Sequence, residues 1–362
     1  MMKRVGALLL TLVMVCVCLS RSAVPNKKIV QEETPSVILP TDPSEWETLV
    51  DETPVPPTPV FLESDMTELN ILIIGNSHSI DAFHLLYETF MDQYPDLDLT
   101  VGILHFNGCS ISEHATFGQR NSRVYRYLKN DNGRWNIQIQ WTMKEILQDV
   151  EWDVVMIQPA KEDLSDPTLN LKGRTALKKQ IDKHLTTPYS LIWHVSWPSP
   201  NDETFFSPDY VRQPPVGYKD KLTRLYGFDP VTQYSVMIGQ TRQHILNDPT
   251  YFKGVCSGTA VMQAYLTQGV SQLELWRDYT HLSDYGRLMV GYALVAQLTG
   301  RRIESVGINV VSKWKRHYQN RHLGNMKVTE EMKETIIESA NYTIAYAWEM
   351  PPEPGTLKPG AR

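Results

Sequence analysis

From residue 70 onward, short runs of Ile, Val and Leu alternate with longer amphipathic stretches. A strand covered on both faces loses the polar alternation of a half-exposed strand and reads as a continuous apolar run, and an intervening helix lets successive strands lie parallel. The pattern predicts one α/β domain, a three-layer sandwich around a five-stranded, mostly parallel sheet. The expected strands are residues 70–74, 99–104, 152–157, 190–195 and 251–255. The expected helices are 80–93, 142–150, 171–184, 231–247, 259–268, 284–298 and 330–347. The best defined is 284–298, which has Ser283 to cap its first turn and Gly300 just past its end. With 42% apolar residues in 362, the chain can fill a sizeable core.

The ends read differently. Lys3 and Arg4 precede an apolar run over residues 5–19, short for a membrane span, and Ser20 and Ser22 suit a cleavage site, so 1–22 reads as a secretory signal. The expected location is secreted or periplasmic, in a bacterium. A membrane enters only if Cys16 or Cys18 is acylated, anchoring the chain at the cell surface, although valine precedes both where a small residue would be expected. Residues 23–68 hold ten carboxylates against Lys27 and Lys28, and eight of the 23 prolines, the composition of a disordered acidic linker. This stretch carries much of the net charge of −6, leaving the remainder near neutral. No basic stripe exists, which argues against a nucleic-acid partner. The folded domain is expected over 69–300, with 301–362 a C-terminal helical extension and tail. Without the signal, Cys109 and Cys256 remain, either as one disulfide or as two buried thiols.

Two short stretches carry candidate chemistry. In "ILIIGNSHSID", residues 71–81, a buried strand breaks on Gly75 and places Ser77 where a helix should begin. In open α/β sheets ligands collect at the carboxyl ends of strands, so Ser77 would stand in a tight turn with its own amide available to an anion. Ser77 or Ser79 could instead merely cap the helix, and Ser79 is the expected cap. In "RDYTHLSDYGR", residues 277–287, Asp278 and His281 stand three apart just before a helix. Such a step lets a carboxylate hold the nearer imidazole nitrogen, leaving the other free to accept a proton. His78, beside Ser77, points the wrong way for its base, and His114 is expected on a helix face. His78, His84, His105 and His114 lack metal-ligand spacing, so neither a metal nor a cofactor is expected. Nothing beside Cys109 suggests an activated thiol.

On Gly75-Asn76-Ser77 and Asp278-x-x-His281 the chain resembles the SGNH hydrolases, or GDSL-type esterases, over about residues 69–300. The resemblance implies a flavodoxin-like fold, Ser77 as nucleophile, His281 as general base and Asp278 as its support. It also implies an oxyanion hole built from the Ser77 amide, Gly108 in "HFNGCS", and a side-chain amide after the third strand. Here that position is Gln158 instead of the usual asparagine, and Asn76 replaces the usual aspartate of the first block. Glutamine could donate from one methylene further back; Asn107 is the alternative donor, and a structural glutamine bonded to backbone is the plain reading.

A long connection over 197–229 is rich in proline and aromatic residues. Aromatic surfaces with polar rims suit sugar rings, and Trp193 and Trp197 are the candidate substrate-binding residues. The expectation is a serine esterase acting on a small-molecule or polysaccharide ester, removing acetyl groups from carbohydrate. The rival readings are a non-catalytic glycan-binding protein on the same scaffold and an acyltransferase.

Overall fold

The computed structural model describes residues 67–165, 170–210, 212–251, 253–311 and 325–352. The expected signal, and the linker up to residue 66, lie outside the described residues. The elements run β1 (Glu68–Gly75), α1 (Ser77–Phe83), α2 (Leu86–Gln93), β2 (Asp98–His105), α3 (Ile111–Gln119), β3 (Tyr125–Asp131), β4 (Arg134–Trp141) and α4 (Met143–Leu147). They continue with β5 (Val154–Ile157), α5 (Lys161–Ser165), α6 (Leu171–His184), β6 (Ser190–Val195), α7 (Tyr218–Tyr226), α8 (Pro230–His244), β7 (Lys253–Cys256) and α9 (Gly258–Leu266). Last come α10 (Gln272–Leu275), α11 (Asp284–Thr299), the two-residue strands β8 (Val310–Val311) and β9 (Met326–Lys327), and α12 (Glu330–Tyr346).

The main sheet has seven strands in the order β4-β3-β2-β1-β5-β6-β7. All five expected strands are in it, and they pair in parallel. Their spatial order, with β2 on one side of β1 and β5, β6 and β7 on the other, is the flavodoxin-like order, whose switch point lies beside the first strand. The fold is therefore α/β, a mostly parallel sheet flanked by helices, with two strands more than expected. The additional pair, β3 and β4, is an antiparallel hairpin added at the β2 edge. Its turn is Asn132-Gly133, both at positive φ, 50° and 78°, the type I′ geometry that fits the twist of the two strands.

Side-chain alternation along β1 feeds two core layers. Leu69, Ile71 and Ile73 join a large apolar cluster with α1, α2, α9, α11 and α12. Leu72 and Ile74 are equally buried but lie outside that cluster, as the period of a strand requires. Every residue of α11 from Tyr285 to Thr299 is buried, because α2, α9 and α12 all pack around it. Helix α12, within the expected C-terminal extension, packs directly on α11. Ile336 and Ala340 of α12 complete the apolar cluster. Asn341 pairs with both backbone groups of Ile303, its Oδ1 accepting from the amide at 2.7 Å and its Nδ2 donating to the carbonyl at 2.9 Å.

The expected helix over 80–93 begins three residues earlier and is interrupted at His84 and Leu85. Its cap is Asn76 and not Ser79: the Asn76 side chain accepts from the His78 amide at 3.1 Å. Cys109 and Cys256 are both free and buried.

Candidate active site

Ser77 opens α1 directly after β1, and the loop from Arg277 to Ser283 joins α10 to α11. The two stretches, some two hundred residues apart in sequence, meet at the carboxyl end of β1. Ser77 Oγ lies 2.8 Å from His281 Nε2. On the other side of the ring, His281 Nδ1 lies 2.9 Å and 3.0 Å from the two Asp278 oxygens. A carboxylate can only accept, so Nδ1 carries the proton and Nε2 is left to accept from the Ser77 hydroxyl. The i, i+3 step is a turn closed by the same carboxylate, which accepts from the amides of Thr280 at 3.0 Å and His281 at 2.8 Å. Burial pushes the His281 imidazole below its ordinary range, against the opposing pull of the Asp278 hydrogen bond. For Asp278, burial would raise the carboxyl, but His281, Arg277 and Arg212 outweigh it and hold it at about 2.

Two further groups fix this arrangement, and sequence reasoning named neither. Arg212, in the long connection, stands 3.0 Å from Asp278 Oδ2 and neutralises the outer side of that carboxylate. Asp81, one turn along α1 from Ser77, is buried and gathers the loop around itself. It accepts from Arg277 at 3.0 Å, from Arg287 Nη2 at 2.7 Å and from the Leu282 amide at 3.0 Å. Burial would raise its carboxyl, yet the two guanidinium groups drive it well below the usual carboxylate range. This clamp ties both flanks of His281 to the helix that carries Ser77.

The expected oxyanion donors separate. Gly108, at φ 65° in an exposed turn, and Asn107 line the same cleft as Ser77 and His281. Gln158 does not. It is buried, its Nε2 donates to the Pro159 carbonyl, and its Oε1 accepts from the Asn76 amide at 3.2 Å and the Ser79 hydroxyl at 3.0 Å. The extra methylene of glutamine lets the side chain turn back and brace the Gly75–Ser79 turn. A Cβ on Gly75 would stand 2.2 Å from Ser79 Oγ and 2.7 Å from Gln158 Oε1, so this close packing requires glycine. Asn76, where the resembled family carries aspartate, spans the cap and the Cys109 carbonyl, 3.4 Å from its Nδ2.

Trp193 and Trp197 are fully buried and cannot touch substrate. Trp193 packs edge-on against Tyr251, and Trp197 donates to the Thr280 carbonyl at 3.0 Å while lying beside the His78 ring. β6 delivers Trp193 into the interior away from the site, and Trp197, two residues past the strand, braces the Thr280 loop from beneath. His114 lies buried in α3, its Nδ1 3.2 Å from the Tyr125 hydroxyl. Burial pushes the Cys109 thiol up, the opposite of what a nucleophile needs.

The cleft over Ser77 has a volume of about 260 Å³. Its inner wall is a polar network centred on Thr280, whose hydroxyl lies 3.0 Å from His78 Nε2 and 3.2 Å from Lys161 Nζ. Lys161 also donates to Ser199, which in turn meets the Tyr218 hydroxyl at 3.0 Å. The His78 ring nitrogens meet Thr280 and, at 3.4 Å, Ser196 instead of Ser77, so His78 is a member of the wall and not a second base; burial, with Lys161 and His281 nearby, pushes its imidazole well below its ordinary range.

No protein-family model and no curated protein matches this sequence. Among solved structures the chain is similar to a DUF4886 family protein from Bacteroides uniformis, at 20% identity with a TM-score of 0.61, covering 78% of this chain and 97% of that one. A protein from Slackia heliotrinireducens, provisionally assigned as an SGNH hydrolase, matches at 15% identity and a TM-score of 0.37, covering 65% and 100%. An alpha/beta hydrolase from the metagenome of Lake Arreo matches at 12% identity and a TM-score of 0.38, covering 66% and 98%. At such identities the first of these similarities speaks for the fold, and the functional reading is carried by the side-chain geometry of the cleft.

Proposed function

We propose that this protein is a serine hydrolase that cleaves carboxylic esters through an acyl-enzyme, with acetyl groups on carbohydrate as the substrate class. The observation that carries the reading is the unbroken hydrogen-bonded series Ser77–His281–Asp278 on a cleft open to small molecules. As Ser77 Oγ bonds to the ester carbon, its proton passes to His281 Nε2 and the carbonyl electron pair moves onto oxygen. The amides of Ser77 and Gly108, with the Asn107 side chain, are the donors assigned to that oxyanion. Collapse breaks the bond to the alcohol, which leaves with the proton from His281. Water then attacks the acyl-enzyme by the same route and releases the acid. The small volume of the cleft favours a short acyl group, and the polar and charged side chains among its lining, Asn107, Lys161, Glu162 and Arg212, suit a hydrophilic alcohol.

Labelling with an organophosphate tests the assignment directly: one adduct on the Ser77 peptide by mass spectrometry is expected, and an adduct elsewhere or none overturns it. The pH profile gives a second check. His281 must be neutral to accept the proton, and burial lowers its pKa from 6.5. The logarithm of kcat/KM for 4-nitrophenyl acetate should therefore fall through an acid limb centred below pH 6.5, and a midpoint above that value would contradict a buried imidazole base.

A further inference from the structure

Lys161 has no place in acyl transfer as described, yet it sets a buried amine in the wall of the cleft. It is 7% exposed and follows β5 at the edge of the sheet where Ser77 stands. An ammonium has three donors, and the described acceptors are two neutral hydroxyls, Ser199 and Thr280. Both carboxylates near enough to act on it are committed elsewhere. Glu162 is paired with Lys221, and Asp278 with His281 and Arg212. A charge held this way is costly unless something of opposite sign arrives, and the cost shows in the lysine pKa, which burial lowers to about 7. Of the cations lining the cleft, Lys221 is matched by Glu162 and Arg212 by Asp278, which leaves Lys161 as the local positive excess on an acidic protein.

The geometry points to a carboxylate subsite: we infer that the ester substrate carries a carboxylate on its alcohol portion, held by Lys161. The side is set by the chemistry. A leaving alcohol must approach His281 to receive its proton, and Lys161 is hydrogen-bonded to Thr280, the residue beside that base. A single buried ammonium among hydroxyl groups balances one negative charge, which suits a carboxylate better than a phosphate dianion. This inference rests on the ester-hydrolase reading for its orientation and names the substrate class as acetylated acidic carbohydrate.

The test compares acetate release from O-acetylated methyl glucuronoside and O-acetylated methyl glucoside, which differ in the carboxylate. Wild type should favour the uronoside in kcat/KM by about tenfold or more, and Lys161→Met should bring the ratio to within about threefold of unity. A wild-type ratio near one, or a preference that survives in Lys161→Met, overturns the inference. Lys161→Gln, which keeps a donor but not the charge, should lose the preference as well, and serves if the methionine variant fails to fold. Should wild type release acetate from neither sugar, the reading of acetylated carbohydrate as substrate has failed. Calorimetry of methyl glucuronoside with Ser77→Ala and Ser77→Ala/Lys161→Met then decides the subsite alone: a tenfold loss of affinity supports it, and equal affinities or no binding reject it.

Discussion

Replacing Ser77 with alanine is expected to lower kcat for 4-nitrophenyl acetate by roughly 10,000-fold or more, while the melting temperature stays close to that of wild type. The two halves of this expectation have separate causes. The hydroxyl is the atom that bonds to the acyl carbon, so its loss removes the covalent route, and only binding and the oxyanion donors remain. Ser77 is half-buried at the first position of α1, and the cap of that helix is Asn76, so the fold does not depend on it. His281→Ala should cost a similar factor, and the double variant should be little worse than either single one, because nucleophile and base act as a unit. Equal turnover by wild type and Ser77→Ala would remove the hydrolase reading and leave a binding role for the cleft.

How far the sequence disclosed this structure depended on whether the signal was local. The apolar runs that became β1, β2, β5, β6 and β7 are legible because strands buried on both faces must be apolar throughout. The β3–β4 hairpin does carry local signals, the polar–apolar alternation of Arg134–Trp141 and the Asn132-Gly133 turn, but an antiparallel edge pair stands outside the strand–helix repeat that makes the other five strands legible. Ser77, His281 and Asp278 could be singled out because each sits in a short block at an element boundary. Gln158 was read from its position, but position does not say where a flexible side chain turns, and here it turned inward. Trp193 and Trp197 show the same limit: an aromatic residue at a strand end serves core or rim equally well until packing decides. Lys161, Arg212 and Asp81 gave no motif at all. Their roles arise from partners 38 to 206 positions away, and only the assembled fold brings those together. A cue did exist for Asp81, which falls four residues after the candidate nucleophile while Arg277 and Arg287 bracket the histidine block, although pairing them required the tertiary structure.

Asp81→Ala should then be among the most destabilising substitutions available in the site region, by about 3–5 kcal/mol. Removing the carboxylate takes the counter-charge from the largely enclosed Arg277 guanidinium, leaves the buried Arg287 to Asp284, and takes the acceptor from the Leu282 amide. Against a typical domain stability of about 5–15 kcal/mol this is a large share, and a fall in melting temperature of about 10 °C is expected. Because the folded carboxyl lies far below its unfolded value, the stabilisation is complete above about pH 4 and fades as the pH falls further. The difference in melting temperature between wild type and Asp81→Ala should therefore shrink in acid; a constant difference from pH 7 to pH 3 would deny the ionic origin. The combined variant Asp81→Leu/Arg277→Met/Arg287→Met separates stability from positioning. Replacing a whole buried charge cluster by apolar groups is often neutral in stability, so the triple variant should regain most of the loss. Its activity should stay well below wild type, because the flanks of His281 would no longer be tied to α1 and the 2.8 Å approach of its ring to Ser77 would depend on loop packing alone. Full activity in a stable triple variant would show that the clamp serves the fold and not the alignment of base and nucleophile.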